Sequence, residues 1–293
     1  RRRPSMVGYV GDATIGSQLR IRFDRGSEIT APDRAEFFYA KCGCYAGLPS
    51  SHPAFDPDAP GPQPGIADNL DYQQLYVLGE FAAGNRFSIY GELPVRWLKP
   101  QSFVAGTGSF GDSSGVSDFR AGIKLGLAAS DDHSVTLQLQ ADLPTGDAGK
   151  GLGVDHVSVS PTLLYFQRVG TRGAIETQLG SVHPIGGSAG IPTSSSDKFA
   201  GTVVVYGVGA SVELAPESRV RFAPVVELFG WRVVSGFQTS TFGPADGLNI
   251  LNLKIGARVG VGDRASFYFG YGHALTDATW YDNIFRLEYR YGF

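Results

Sequence analysis

Charged side chains recur at every second position in several stretches of this chain, and they are the residues best placed to do chemistry. The last nine residues read Phe285-Arg-Leu-Glu-Tyr-Arg-Tyr-Gly-Phe293, so Arg286, Glu288 and Arg290 alternate with apolar or aromatic neighbours. The same beat puts Arg86, Glu92 and Arg96 on one face of 85–97, and Asp118, Arg120 and Lys124 on one face of 116–128. It continues with Asp142, Glu176, Arg221, Glu227, Lys254 and Arg258, and Glu36, Glu80 and Glu213 fall in phase with them. Charges gathered on one face of a sheet can line a polar conduit, in which unpaired members set charge preference. They can equally neutralise one another in cross-strand pairs and brace an interior. The signs are balanced, nine of each, which predicts weak ion selectivity and permits a narrow or closed path.

Other reactive types are sparse. His52, His133, His156, His183 and His273 are scattered. Ser181 and His183 share a strand face but follow one another along it, too far apart for the tight pair that nucleophilic catalysis requires. No catalytic residue is assigned, and the chain is not expected to be an enzyme. Cys42 and Cys44 are separated by one residue, a spacing that strains a bridge, so two free or externally modified thiols are expected. A metal held by both cysteines and His52 lacks a fourth ligand, and no metal or cofactor is assigned. Loop carboxylates Asp56, Asp58, Asp68, Asp71, Asp277 and Asp282 offer oxygens for Ca²⁺, and solvated loop polarity explains them as well. Asp147-Ala-Gly-Lys-Gly151 lacks phosphate-loop spacing and leads into a strand, not a helix.

Twelve stretches can position the charges: 33–42, 70–81, 85–97, 116–128, 133–144, 155–168, 173–184, 199–214, 218–232, 249–262, 264–275 and 282–293. Each reaches or slightly exceeds the about 9–11 residues a tilted strand needs to cross a bilayer. Short turns (82–84, 129–132, 170–172, 215–217, 263) alternate with long loops (43–69, 98–115, 145–154, 185–198, 233–248, 276–281). Bacterial outer-membrane barrels show this asymmetry, with short turns on the periplasmic side. The faces left apolar include Phe87, Ile89, Leu93 and Trp97, then Ile123 and Leu125, then Leu253, Ile255, Phe267 and Phe269. A slip of one residue would turn the charged face to lipid, at about 2–4 kcal/mol for an Arg at mid-bilayer.

Composition agrees. In 293 residues there are 40 Gly, 13 Tyr, 19 Phe and one Met, and the net charge is −3. Mean hydropathy is near zero, no apolar run is long enough for a helical span, and no basic block suggests nucleic acid. The chain reads as a mature product whose export signal has been removed.

Ser117-Asp-Phe-Arg-Ala-Gly-Ile-Lys-Leu-Gly126, Leu143-Pro-Thr-Gly-Asp147 and Gly149-Lys-Gly-Leu-Gly153 resemble a family of outer-membrane transporters associated with the meta-pathway of phenol degradation. The resemblance runs over roughly 70–293, with Ser117 in place of the usual glycine. It implies a barrel and import of small molecules, aromatic or hydrophobic compounds among them, and it brings no catalytic residues. The expectation is an all-β chain: a closed antiparallel transmembrane barrel of about 12 strands over 32–293. Residues 1–31 are an N-terminal periplasmic arm, a lumenal plug or an extra strand, and the sequence does not choose. The setting is the bacterial outer membrane, with its lipid and a small solute as partners. Passive diffusion through a polar lumen gated by the first long loop, with the N-terminal arm as a second candidate gate, is the leading function. A scaffold barrel anchoring an envelope protein is the alternative, and a lipid-modifying barrel enzyme the third.

Overall fold

The computed structural model describes residues 5–34, 38–52, 54–187, 189–191, 194–214 and 218–293. Strands β1 (Gln18–Ile29), β2 (Ala67–Ala82), β3 (Phe87–Phe103) and β4 (Phe119–Ala129) are followed by β5 (His133–Leu143), β6 (Val157–Val169), β7 (Gly173–Ile185) and β8 (Val203–Val212). The set ends with β9 (Val220–Val233), β10 (Asn249–Val261), β11 (Ala265–Ala274) and β12 (Asn283–Gly292). Each pairs antiparallel with its neighbours in sequence, and β12 returns to β1, so the sheet closes on itself. A short piece, Ser113–Val116, pairs with the outer part of β3 beyond the end of β4.

Alternation along each strand sorts side chains between two environments. On β12, Phe285 and Leu287 are exposed by 47% and 53%, whereas Arg286, Glu288 and Arg290 are buried. On β10, Ile255 is 54% exposed and its neighbour Lys254 is 1% exposed. A water-soluble sheet does the reverse; charged-in and apolar-out is the pattern of a closed sheet standing in hydrocarbon. Gly170 and Gly262 take left-handed backbone in two of the tight turns, where a side chain would be strained.

One expected strand is corrected. Residues 33–42 form no strand among the described residues, and Glu36 lies outside them. The strand that closes the barrel is β1, built on the alternating Leu19-Arg-Ile-Arg-Phe23, within the segment expected to be arm, plug or extra strand. Residues 38–42 are buried without alternation, because they pack into the mouth and not across a membrane. Of the expected short turns, 215–217 lie outside the described residues; the others lie at one end, where Phe293 donates its amide to the Ser17 carbonyl at 3.2 Å. The other end carries the long loops, and the described residues of 30–66 fold across it. Cys42 and Cys44, expected as separate thiols, are joined by a disulfide. Their Cα atoms are 5.2 Å apart at the edge of a 3-10 turn, Gly43–Gly47, within the range of about 4.4–6.8 Å that a bridge needs.

Candidate functional site

Register sets the charge pairs of the interior. Asp24 on β1 stands opposite Arg286 on β12, and both Arg286 Nε and Nη2 donate to it at 2.7 Å. Glu288 lies between Arg258 at 2.8 Å and Arg290 at 2.6 Å. Arg120 bridges Glu92 at 3.1 Å and Asp142 at 2.9 Å, and Lys124 meets Glu80 at 3.1 Å. Arg20 and Arg22 reach Glu92 from β1, across the intervening β2, at 3.2 and 3.6 Å. Charges shielded from bulk water are tolerated when paired and hydrogen-bonded in this way.

The segment before β1 occupies the lumen. From the short-turn rim it runs inward, and its backbone is satisfied by wall side chains, not by a strand partner. Thr136 Oγ1 donates to the Ala13 carbonyl at 2.6 Å, and the Gly11 amide donates to Gln178 at 2.6 Å. Glu227 accepts from the amides of Gly8, Tyr9 and Val10 at 3.0, 2.9 and 2.7 Å. Glu176 accepts from Met6 at 3.1 Å. Guanidiniums take the carbonyls: Arg258 those of Met6 and Val7, at 2.9 and 2.8 Å, and Arg286 that of Gly8 at 2.6 Å. Buried backbone groups demand partners, and here the wall supplies them.

At the other end the folded loop is pinned by polar contacts. Lys41 pairs with Asp56 at 2.7 Å, and Arg34 donates to the Thr279 carbonyl at 2.7 Å. Arg96 on β3 donates to the carbonyls of Phe38 and Gly151 at 2.9 and 3.0 Å. Asp33 accepts from the Thr239 hydroxyl and, at 3.2 Å, from the Cys42 amide, tying this loop to the 234–248 loop. Burial pushes the Asp33 carboxyl up to about 6, although those hydrogen bonds pull it down. Burial also lowers the Arg34 guanidinium to about 10, against the opposing charge of Asp33.

Between the two closures remains a cavity of about 390 Å³. Its polar side includes Glu92, Arg120, Gln138 and Asp142; its other side is aromatic, with Tyr9, Phe229, Trp231, Trp280 and Tyr281. Trp231 packs edge-on against Phe229 and Trp280, both at 4.9 Å between ring centres.

The residues expected on the charged face are distributed as follows. Glu92, Arg96, Lys124, Glu176, Glu227, Lys254, Arg258, Arg286, Glu288 and Arg290 are buried in the interior, and Arg120 and Asp142 are half-buried there. Asp118 lines the cavity as well and clamps the 144–156 loop, accepting from Gly146 and Val154 at 2.9 and 2.8 Å. Arg221 is half-buried at the short-turn rim, donating to the Gly262 carbonyl at 2.8 Å. Arg86 is exposed in the turn before β3, at the short-turn rim. Arg20, Arg22 and Asp24 were missed with their strand, although their alternation was visible. Asp12 was missed too, having no strand pattern; it meets Arg290 at 3.3 Å. Ser181 and His183, expected out of reach, are hydrogen-bonded at 2.8 Å on the outer face. Among the described residues, no carboxylate orients that imidazole, so the pair lacks the third group of a hydrolytic triad.

Residues 68–180 match the family model described as putative MetA-pathway of phenol degradation. Among solved structures the chain is similar to an outer membrane channel from Pseudomonas putida F1, with TM-score 0.54, 14% identity, and coverage of 95% of this chain and 96% of that one. It is similar to the β domain of the Bordetella autotransporter BrkA, with TM-score 0.53 and 13% identity over 95% and 100% of the two chains. Similarity to the NanC porin has TM-score 0.52 and 6% identity over 94% and 100%. Likeness at these identities is likeness of fold, that of outer-membrane barrels. No curated protein matches the chain.

Proposed function

We propose that this outer-membrane β-barrel, which carries the sequence signature of the putative MetA-pathway of phenol degradation family over residues 68–180, is a channel for passive diffusion of small solutes, small aromatic ones among them. One observation carries the reading. The segment that blocks the lumen is bound to the wall by side-chain hydrogen bonds to its backbone and shares no strand ladder with it. A blockage built into the sheet would be permanent, whereas one held by such contacts can leave and leave the barrel closed on itself. Interior charge pairs give a wetted path, and the aromatic wall gives apolar solutes a surface to contact. The similarity in fold to an outer membrane channel and to a porin supports the same reading.

Single-channel recording tests it. The full chain and a chain lacking residues 1–16 are refolded and inserted in planar bilayers. The shortened barrel is expected to conduct with larger and longer openings than the full chain. If the shortened barrel is folded, by its heat-dependent gel mobility, and still electrically silent, the channel reading is wrong.

A further inference from the structure

Glu227 on β9 and Lys254 on β10 are directly opposed in register. Opposite charges so placed ordinarily pair. Here the Glu227 carboxylate is turned to the seated segment, accepting from the amides of Gly8, Tyr9 and Val10 and, at 3.2 Å, from the Tyr268 hydroxyl. Asp24, the other nearby carboxylate, is taken on both oxygens by Arg286. Lys254 is therefore left, 1% exposed, without a carboxylate in ion-pair reach among the described residues. Its ammonium hydrogen-bonds the Tyr281 hydroxyl and otherwise meets ring faces, Tyr9 at 3.7 Å, Tyr281 at 4.8 Å and Phe229 at 5.7 Å. Three donors with one oxygen partner among the described residues leave capacity for an incoming acceptor.

Lys254 lines the 390 Å³ cavity beside Trp231 and Trp280. That volume falls within the about 300–1,000 Å³ of small-molecule sites, and edge-to-face ring packing is available along the wall. We infer that the cavity binds a small aromatic monocarboxylate, its carboxylate on Lys254 and its ring against Trp231 and Trp280, and that the seated segment creates this site by holding Glu227 away. An anion fits better than a cation because the neighbouring carboxylates are already satisfied. An aryl acid fits better than an inorganic anion because the walls around the ammonium are rings. When the segment leaves, Glu227 is free to swing back to Lys254 and displace the bound anion. Ligand binding and seating of the segment thus favour one another, and the coupling must be reciprocal. The role of this site as a stop on a transport path rests on the channel reading; the binding itself does not.

Benzoate, benzamide and benzylamine serve as probes for the folded full-chain barrel in detergent, followed by calorimetry and tryptophan emission. Benzoate is expected to bind at least tenfold more tightly than benzamide, with benzylamine weakest. Lys254→Met is expected to erase the preference for benzoate while keeping benzamide binding, which also reports that the cavity is intact. Removal of residues 1–16 is expected to weaken benzoate at least tenfold. The assignment fails if benzoate binds no better than benzamide, if neither binds, or if Lys254→Met keeps the preference. Benzoate binding unchanged without residues 1–16 overturns the coupling to the segment. Conductance of the same preparations separates the two readings: a barrel that conducts but ignores benzoate refutes the anion site alone. One that binds benzoate but conducts in neither form refutes the channel alone.

Discussion

Replacing Glu227 with alanine removes the densest anchor of the lumenal segment. Three backbone amides lose a carboxylate that accepts from them at 2.7–3.0 Å. Hydrogen bonds to a charged acceptor contribute about 1.5–3 kcal/mol each. Water entering the vacated space can satisfy the amides in part, and the three bonds share one carboxylate, so the low end of that range applies and the bonds are not independent. A total of about 3–4 kcal/mol is a reasonable sum, which corresponds to between two and three decades in the ratio of unseated to seated barrels. The other anchors remain: Arg258 on Met6 and Val7, Arg286 on Gly8, Gln178 on Gly11 and Thr136 on Ala13. The segment should therefore stay seated most of the time but leave more often. In single-channel recordings, Glu227→Ala should multiply the time spent in the large-conductance state by a hundredfold or more, while remaining mostly closed beside the chain without residues 1–16. Glu227→Gln, which keeps one acceptor oxygen, should lie between. If Glu227→Ala dwells closed as long as the parent while the shortened chain opens, the carboxylate is not what holds the segment.

Acid should hold the mouth loop down. Asp33 is buried among Arg34, Tyr39, Tyr45 and Thr239, and its carboxyl is raised from 3.8 to about 6. An acid with a raised value binds its proton more tightly when docked, so its contribution is complete below pH 3.8 and is lost as pH rises through about 6. Two pK units amount to about 3 kcal/mol at most, so protease cleavage in 38–52 should quicken between pH 4 and 7, and Asp33→Asn should make the rate insensitive to pH. On the outer wall, Ile255→Arg puts a guanidinium against hydrocarbon and should cost about 2–4 kcal/mol if it lies near mid-bilayer, measured by urea titration of barrels folded into vesicles. A cost near zero would mean that this face does not meet lipid.

Eleven of the twelve strands were legible because a barrel wall separates two solvents, and each strand must obey the same two-residue beat to serve both. Leu251, Leu253 and Ile255 leave little freedom once Lys254 must face inward. The first strand was misplaced because a longer aromatic-rich stretch near Phe38 and Tyr39 competed with the brief alternation of Leu19 to Phe23. Nothing local reveals that Phe38 packs on Tyr72, at 4.9 Å between ring centres, inside a mouth. Contacts such as Asp33 with Thr239, 206 residues apart, leave no periodic trace at either end. The face of Glu227 could be read from its strand, but its partners could not, since the amides of Gly8 to Val10 belong to a segment without strand periodicity. The Cys42–Cys44 bridge was likewise hidden, because spacing alone does not give the turn that brings the two residues to bridging distance.

Equal numbers of charges on the inner face suggested weak selectivity, but equality in number assumes that all members are equally available to a passing solute. Paired members are not. Arg286 with Asp24, Arg120 with Glu92 and Asp142, and Lys124 with Glu80 present dipoles whose fields fall off quickly. The members without an opposite partner are divided by sign. Glu176 and Glu227 are covered by backbone amides of the seated segment, whereas Lys254 and Arg96 face the cavity, Arg96 bonded to an amide oxygen and two carbonyls and lying over the Phe38 ring. The space a solute would occupy is therefore positive while the segment is in place, although the charges counted from the sequence are equal in number. Withdrawing the segment uncovers the two glutamates and cancels that bias. Charge preference in this barrel is then a property of the seated segment as much as of the wall, and it follows from which partners are occupied rather than from how many charges there are.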